Sequence, residues 1–223
     1  MKRLISIALA LALVLSSLAV IAYAYTDVAE GAWYKIPVDY VTNQELMVGV
    51  GGGEFAPDAL VSHAMAATVA WRICGSPRMA ADSNTYDDLS GEEWYWQAAT
   101  WGYPTGVFSD FCMAPEPSFE PYWAFDGEEN VRRVAFVGML FRLAQYCGSA
   151  TEQRADLSVF QDADKVFSWE AEELQWAVAV GILRGSADNG ALLLDHRRNI
   201  TRAEAAAMLM RFCELYDTAA VQP

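Results

Sequence analysis

The chain has few histidines and few basic residues, and each shortage excludes a class of function. Its 223 residues include two histidines, and its four cysteines show no metal-ligand spacing, so we expect no metal site. Lysine and arginine number 15 against 29 aspartates and glutamates, a formal charge of −14. A chain this acidic has no general affinity for nucleic acid or for anionic lipid. Any anionic ligand must therefore be held by locally clustered arginines.

Sequence signatures of catalysis and of nucleotide binding are also missing. The chain has neither a Gly-x-Ser-x-Gly elbow nor a Cys/His signature, and no spacing among its many carboxylates selects one acid–base pair. Residues 49–53 are glycine-rich but lack the Lys-Ser/Thr that completes a phosphate-binding loop, so we interpret them as a turn. The sequence therefore predicts a protein that is not an enzyme and has no cofactor.

The N-terminus has the pattern of a secretory signal. Lys2 and Arg3 precede an apolar run over residues 4–21, and residues 22–24 (Ala-Tyr-Ala) have the small-x-small form of a cleavage site. We predict a signal peptide over residues 1–24, whose removal would leave 13 basic residues against 29 acidic ones. The apolar run is nearly as long as a membrane span, so the alternative is an uncleaved N-terminal anchor.

A capped helix near the C-terminus carries the clearest local signal. Thr201 and Glu204 have the Thr-x-x-Glu spacing of a capping box, which satisfies two backbone N–H groups at a helix start. Apolar residues then follow at the spacing of one buried stripe: Ala205, Met208, Leu209, Phe212 and Tyr216. Arg202 is unexpected in the first turn, where the helix dipole disfavours a cation by about 0.3–1 kcal/mol. A guanidinium beside free helix N–H groups predicts an anion pocket, and the alternative is an arginine paired with a nearby acid.

The unit that contains this helix occurs three times. Each copy opens with an aromatic-x-Asp-apolar tetrad, has a tryptophan six or seven residues after the Asp, and continues into helix, loop and second helix. We assign repeat one to residues 25–75, repeat two to 86–148 and repeat three to 157–216. Repeat two has a loop insertion over residues 109–122. No unit can bury its apolar stripe alone, so we predict a mainly α-helical body in which the three repeats pack together.

The motifs of repeat three are Phe160-x-Asp162-Ala163, Trp169, Gly181-Ile182-Leu183 and the segment from Ile200 to Glu204. They resemble the S-layer homology domain; repeat one resembles it less closely, and repeat two weakly. The resemblance implies three helix–loop–helix repeats packed as a pseudo-threefold trimer around a central helical bundle. It also implies a bacterial cell-wall location, where the grooves between repeats bind secondary cell-wall polysaccharide, often with pyruvylated sugars.

The resemblance also assigns candidate glycan-binding residues. The motif arginine falls on Arg202 and Arg133, with Arg132 beside it, and on His63 in repeat one. The motif aspartates and tryptophans are Asp27, Asp88, Asp162, Trp33, Trp94 and Trp169. For the aspartates we favour a helix-cap or turn role over contacts with sugar hydroxyls. For the tryptophans we favour packing between repeats over stacking on sugars.

The four cysteines suit an exported protein with up to two disulfides, for which three pairings exist. We predict Cys112 with Cys147, which would anchor the insertion of repeat two. The second predicted pair is Cys74 with Cys213, near the ends of the second helices of repeats one and three.

Together these features predict a secreted, non-catalytic module that anchors to the cell surface through an anionic cell-wall glycan. Its partners would be that polysaccharide and other surface proteins, with no nucleic acid and no membrane span once the signal is removed. One alternative is a divergent protein-interaction module without glycan binding. Another is a glycan-active enzyme, which needs two facing carboxylates in a cleft. Because His63 replaces the motif arginine, we expect an asymmetric binding surface.

Overall fold

A computed structural model describes residues 25–80, 82–83, 86–109, 123–188 and 190–216. This part of the chain is mainly α-helical, as the sequence predicts. The helices are α1 (Lys35–Asn43), α2 (His63–Ile73), α3 (Trp96–Thr105), α4 (Arg133–Tyr146), α5 (Ala171–Ala179) and α6 (Arg202–Tyr216). The predicted signal peptide, Cys112 and most of the insertion lie outside the described residues. Within these ranges no helix is long and apolar enough to cross a membrane.

The second helices, α2, α4 and α6, begin at equivalent positions but are capped differently. Thr201 and Glu204 form the predicted capping box of α6, with each side chain bonded to the other residue's backbone N–H. The Ser62 hydroxyl caps α2 by accepting a hydrogen bond from the Met65 N–H. Among the residues just before α4, Asn130 has a side chain suited to capping a helix, but it does not cap α4. The N-cap of α4 is Arg132, whose side chain makes no capping bond, while Asn130 forms a backbone bridge with Ser62.

The helices pack in a cyclic order. The first helix of each repeat lies on the second helix of another repeat: α1 on α6, α3 on α2 and α5 on α4. The second helices also contact each other, α4 with both α2 and α6. Large side chains such as Phe136, Leu140, Trp176 and Phe212 are almost fully buried between them. The core is therefore shared between repeats, as expected for units that cannot bury an apolar face alone.

Three backbone hydrogen bonds close a ring immediately before the second helices. Val61 N–H donates to the Ile200 carbonyl at 3.1 Å, Ile200 N–H to Val131 at 3.0 Å, and Val131 N–H to Val61 at 2.8 Å. All three residues are buried and hold the same position in their repeats. The ring connects the three loops cyclically, while the pseudo-threefold arrangement of the whole body stays a prediction.

A short hairpin in repeat three was not predicted. Strands β1 (Ser186–Asp188) and β2 (Ala191–Leu193) pair antiparallel, with Ser186 opposite Leu193. The sequence between the strands contains Asn-Gly, a dipeptide typical of two-residue hairpin turns, which a search for helical periodicity does not use. The hairpin follows α5 and positions residues 184–187 beside α6.

Candidate functional site

The first N–H groups of the second helices are already bonded to carbonyls of another repeat. In α6, Arg202 and Ala203 donate to the Ala59 and Pro57 carbonyls of repeat one at 2.8 and 2.9 Å. The amides of His63 and Ala64 in α2 are bonded in the same way to repeat two, and those of Arg133 and Val134 in α4 to repeat three. The expectation that these N–H groups are free for an anion is therefore wrong. A ligand must be recognised by side chains instead.

The three motif aspartates brace the loop of their own repeat. Asp27 accepts hydrogen bonds from the Phe55 and Ala56 amides at 2.8 and 2.6 Å. Asp88 accepts from Phe125 and Asp126 at 2.9 Å each, and Asp162 from Leu194 and Asp195 at 2.8 and 2.9 Å. Both oxygens of each carboxylate are thus occupied by backbone.

Each braced loop contains one residue in a left-handed conformation. Ala56, Asp126 and Asp195 have φ values of 57°, 50° and 55°, a region that side-chain-bearing residues rarely adopt. Burial alone would raise the pKa of Asp27 and of Asp162, but the loop amides outweigh it and lower both pKa values. Asp27 and Asp162 therefore act as ionised loop braces, and Asp88 makes the same pair of backbone contacts. A contact of the three aspartates with glycan stays a prediction.

Arg202 clamps repeat three to repeat one. Its Nε donates to the Phe55 carbonyl at 2.8 Å and one terminal nitrogen to the Val48 carbonyl at 2.7 Å. The guanidinium also lies over the Phe55 ring, 4.5 Å from its centroid. Arg202 is 5% exposed, and burial lowers its pKa. Most of its donors are therefore used inside the protein.

His63 makes the matching contact between repeats one and two. Its Nδ1 lies 3.1 Å from the Phe125 carbonyl, the position that corresponds to Phe55 in repeat one. The ring is buried, and burial lowers its pKa despite the nearby carbonyl and acids. His63 thus replaces one of the two carbonyl contacts that Arg202 makes.

Arg133 behaves differently, because it meets an acid across the junction with repeat three. One terminal nitrogen lies 2.8 Å from a Glu204 carboxylate oxygen. Arg198 binds the same carboxylate and also bonds Asp195 at 2.7 Å. The Nε of Arg133 is buried and makes no hydrogen bond to any residue that the structure describes. Arg133 is 4% exposed, so this unused N–H points to an incomplete binding arrangement.

A cavity of about 500 Å³ opens at this junction and takes residues from all three repeats. Repeat one contributes Trp33 and repeat two contributes Arg133. Repeat three contributes the remaining lining residues: Arg184, Gly185, Ser186, Ala187, Glu204, Ala207, Met208 and Arg211. The cavity therefore lies between the repeats.

The cavity is positively charged in a chain that carries a formal charge of −14. Its lining contains three arginines and one carboxylate. Burial lowers the pKa of Arg211, and the neighbouring charges of Arg184 and Arg133 lower it further. Burial would raise the pKa of Glu204, but Arg198 and Arg133 hold it down at about 2. An added anion would relieve repulsion among the arginines without displacing the ionised glutamate.

The three motif tryptophans lie on the surface. Trp33, Trp94 and Trp169 are 63%, 64% and 72% exposed, so the interpretation that they pack between repeats is wrong. Each is supported by an adjacent ring: Tyr34 and Tyr95 edge-on, and Phe167 stacked at 4.3 Å. Trp33 lines the cavity and presents a large aromatic surface beside its arginines.

Two cavity arginines, Arg184 and Arg211, were missed by the sequence reasoning. Arg184 is exposed and follows the Gly-Ile-Leu turn. Arg211 lies on α6 and bonds the Ile182 carbonyl at 2.9 Å; Arg72 and Arg142 make the same contact with Leu46 and Val107 in their own repeats. The constant spacing of Arg72, Arg142 and Arg211 marks a shared structural position. That Arg211 and Arg184 line a cavity depends on tertiary packing, which the sequence does not display.

Among the described residues Cys74 and Cys213 do not form the predicted disulfide, and Cys112, the predicted partner of Cys147, lies outside them. The Cys74 thiol forms a hydrogen bond with the Cys147 sulfur, not a disulfide with Cys213. Cys74 and Cys147 are the C-cap residues of α2 in repeat one and of α4 in repeat two, whereas Cys213 lies within α6 of repeat three. In the described ranges, no group of three or more histidine, cysteine or acidic side chains is arranged to hold a metal.

Part of the chain matches the family model described as the S-layer homology domain. The family model with that description matches residues 24–67, which correspond to repeat one. The resemblance inferred from the motifs is thus confirmed over this stretch, whereas the three-repeat organisation stays a prediction. The matched stretch is not repeat three, where the motifs are clearest.

Two relatives have similar sequences over most of this chain. A surface-layer 125 kDa protein of Lysinibacillus sphaericus is 27% identical over 184 residues, which is 82% of this chain and 14% of the relative. A cellulosome-anchoring protein of Acetivibrio thermocellus is 24% identical over 169 residues, 74% of this chain and 35% of the relative. The chain therefore spans only a minor part of either relative.

Proposed function

We propose that this chain is a secreted, non-catalytic module that attaches to the bacterial cell surface by binding an anionic cell-wall glycan in the arginine-lined cavity. The surface-layer and cellulosome-anchoring relatives support a role at the cell surface. The observation that carries the proposal is the cavity itself. It gathers Arg133, Arg184 and Arg211 beside an exposed tryptophan in an otherwise acidic chain.

A sugar that bears a carboxylate, such as a pyruvylated one, suits this set of side chains. Its acid oxygens would accept charge-assisted hydrogen bonds from Arg184 and from the unused Arg133 Nε. Its apolar ring face would stack on Trp33. Neutral sugars would leave the excess positive charge of the cavity, three arginines against one glutamate, uncompensated, so the cavity favours acidic glycans.

Retention on purified, protein-depleted cell walls tests the proposal. We expect Arg184→Gln and Trp33→Ala each to weaken retention about tenfold, the effect of losing one charged hydrogen bond or one stacking contact. Both side chains are exposed, so the fold should be unaffected. The matched control is Arg78→Gln, an exposed arginine outside the cavity lining, which should stay within twofold of wild type.

Three further arms separate the alternatives. Walls treated with mild acid, which hydrolyses pyruvyl ketals, should retain less protein if the carboxylate is that of a pyruvylated sugar. Retention only on walls that keep their surface proteins would overturn the proposal in favour of a protein-interaction module. Release of soluble sugar during incubation would contradict the non-catalytic assignment and favour a glycan-active enzyme.

A further inference from the structure

Two cysteines from different repeats meet at the ends of neighbouring helices. Cys74 is the C-cap residue of α2 and Cys147 is the C-cap residue of α4. The two helices start side by side, because Ser62 and Asn130 are bridged just before them, and the helices contact each other. The Cys74 thiol forms a hydrogen bond with the Cys147 sulfur, and both residues belong to or pack against the shared core.

We propose that Cys74 and Cys147 form a disulfide that joins repeat one to repeat two when the protein reaches an oxidising compartment. The inference is independent of the cavity and its ligand and rests only on the proposed secretion. It replaces both predicted pairings, since each of them uses one of these two sulfurs.

The environments of the two thiols give the reaction an order. The hydrogen bond to Cys147 and burial raise the pKa of Cys74. The hydrogen bond from Cys74 lowers the pKa of Cys147, although burial opposes this. Cys147 is also the more exposed of the two. Because the thiolate is the nucleophile, Cys147 is the attacking residue and Cys74 the resolving one.

The oxidant is an external disulfide, either a small molecule or the active site of a thiol–disulfide exchange protein. The Cys147 thiolate attacks one of its sulfurs, forms a mixed disulfide and releases the first thiolate. Cys74 then loses its proton to solvent and attacks the Cys147 sulfur. The bond between Cys147 and the oxidant breaks, and the second thiolate leaves. Two protein thiols are oxidised to one disulfide, and the external disulfide is reduced to two thiols.

The bond would close a long loop and so constrain the unfolded chain. The loop from Cys74 to Cys147 contains the whole first helix of repeat two and its insertion. Stabilisation of the kind that long-loop disulfides provide would raise the melting temperature of a domain of this size by at least about 5 °C. The bond lies at the far ends of α2 and α4 from the loop ring, so it adds a second connection between these repeats.

Peptide mapping of the full secreted chain tests the proposal. The reduced protein is incubated with glutathione disulfide, the remaining thiols are alkylated, and the non-reduced digest is analysed by mass spectrometry. We expect a peptide in which Cys74 is linked to Cys147, and a melting temperature at least about 5 °C above that of the reduced form.

Variants connect the thermal shift to this pair. In Cys147→Ser the oxidised and reduced forms should melt at the same temperature, whereas Cys112→Ser should keep the wild-type shift. The comparison of oxidised with reduced wild type needs no substitution, so poor folding of one variant does not remove the test. Linkage of Cys147 to Cys112, or alkylation of both Cys74 and Cys147 after oxidation, would overturn the proposal. Retention on cell walls by the reduced protein is a separate result and bears only on the glycan proposal.

Discussion

Two junctions between repeats use the same motif arginine in opposite ways. Where Arg202 meets repeat one, its guanidinium bonds two backbone carbonyls and covers a phenyl ring. Where Arg133 meets repeat three, the guanidinium pairs with a carboxylate and lines a cavity, and its Nε has no hydrogen-bond partner in the described part of the chain. The first junction is closed by its arginine, and the second is left open to a ligand. A shared motif position therefore does not imply a shared role.

The difference follows from one residue opposite each arginine. Met65 and Glu204 hold the same position in repeats one and three, three residues after the helix cap. The Met65 sulfur, 3.9 Å from Arg202, is a weak acceptor, so Arg202 depends on the Phe55 and Val48 carbonyls. Glu204 carries a full negative charge, and Arg133 donates a hydrogen bond to its carboxylate. The acid thereby keeps Arg133 at the edge of the cavity instead of inside the loop.

The largest effect is expected at the closed junction. Arg202→Ala would leave two carbonyls without their charged donor and remove the cation over Phe55, which should lower the free energy of unfolding by about 3–4 kcal/mol. Urea denaturation measures the change. The control is Arg132→Ala, an exposed arginine at another repeat's helix start, which should cost less than about 0.5 kcal/mol. Equal losses for the two variants would contradict the clamp.

A smaller effect is expected at the open junction. Glu204→Gln would weaken the pairs with Arg133 and Arg198 and the capping box, lowering the free energy of unfolding by about 1–3 kcal/mol. The pKa of Glu204 is about 2 in the fold against 4.5 ordinarily. Its ionised form is favoured by folding, so this stability is present above pH 4.5 and is lost as the pH falls toward 2. Between pH 4.5 and 2 the free energy of unfolding should therefore fall less for the variant than for wild type, as urea denaturation at a series of pH values measures. Equal pH dependence in the two proteins would argue against the ion-pair network.

The smallest effect is expected at the junction of repeats one and two. Burial lowers the pKa of His63 below 6.5, so folding favours the neutral ring. The stabilisation that neutral His63 gives to the fold is complete above about pH 6.5 and is lost as the pH falls through the lowered pKa. His63→Gln keeps an amide donor for the Phe125 carbonyl and should cost less than about 1 kcal/mol at pH 8. Thermal melts from pH 8 to 5 should show a flatter profile for the variant, and an unchanged profile would assign the acid sensitivity to other groups.

Local features of the fold were predictable, and cross-repeat features were not. The capping box at Thr201 and the stripe through Leu209 depend on residues three or four apart, which the sequence displays directly. The partners of Asp27 lie 28 and 29 residues away, and Arg202 bonds a carbonyl 147 residues distant. Nothing in the local spacing indicates such a partner.

In the candidate cavity, too, the residue fixed by the repeat motif was predictable and the residues brought together by tertiary packing were not. Arg133 was identified through the repeat pattern, because its position in the motif is fixed by sequence. Arg184 and Arg211 join it only when the hairpin of repeat three and α6 come together with Trp33 of repeat one. The exposure of Trp33 was also misjudged, since its residue type suits a buried interface and an exposed platform equally well.

The ring formed by Val61, Val131 and Ile200 has a consequence for the order of folding. Val61 belongs to the first repeat, yet its N–H finds its acceptor 139 residues later, in the last one. A nascent chain that contains only two repeats can pair Val131 with Val61 and no more. Such distant pairings slow folding, because the intervening chain must be ordered before the contact forms. The closing step therefore waits for the third repeat, and we expect cooperative folding of the whole triplet instead of one repeat after another.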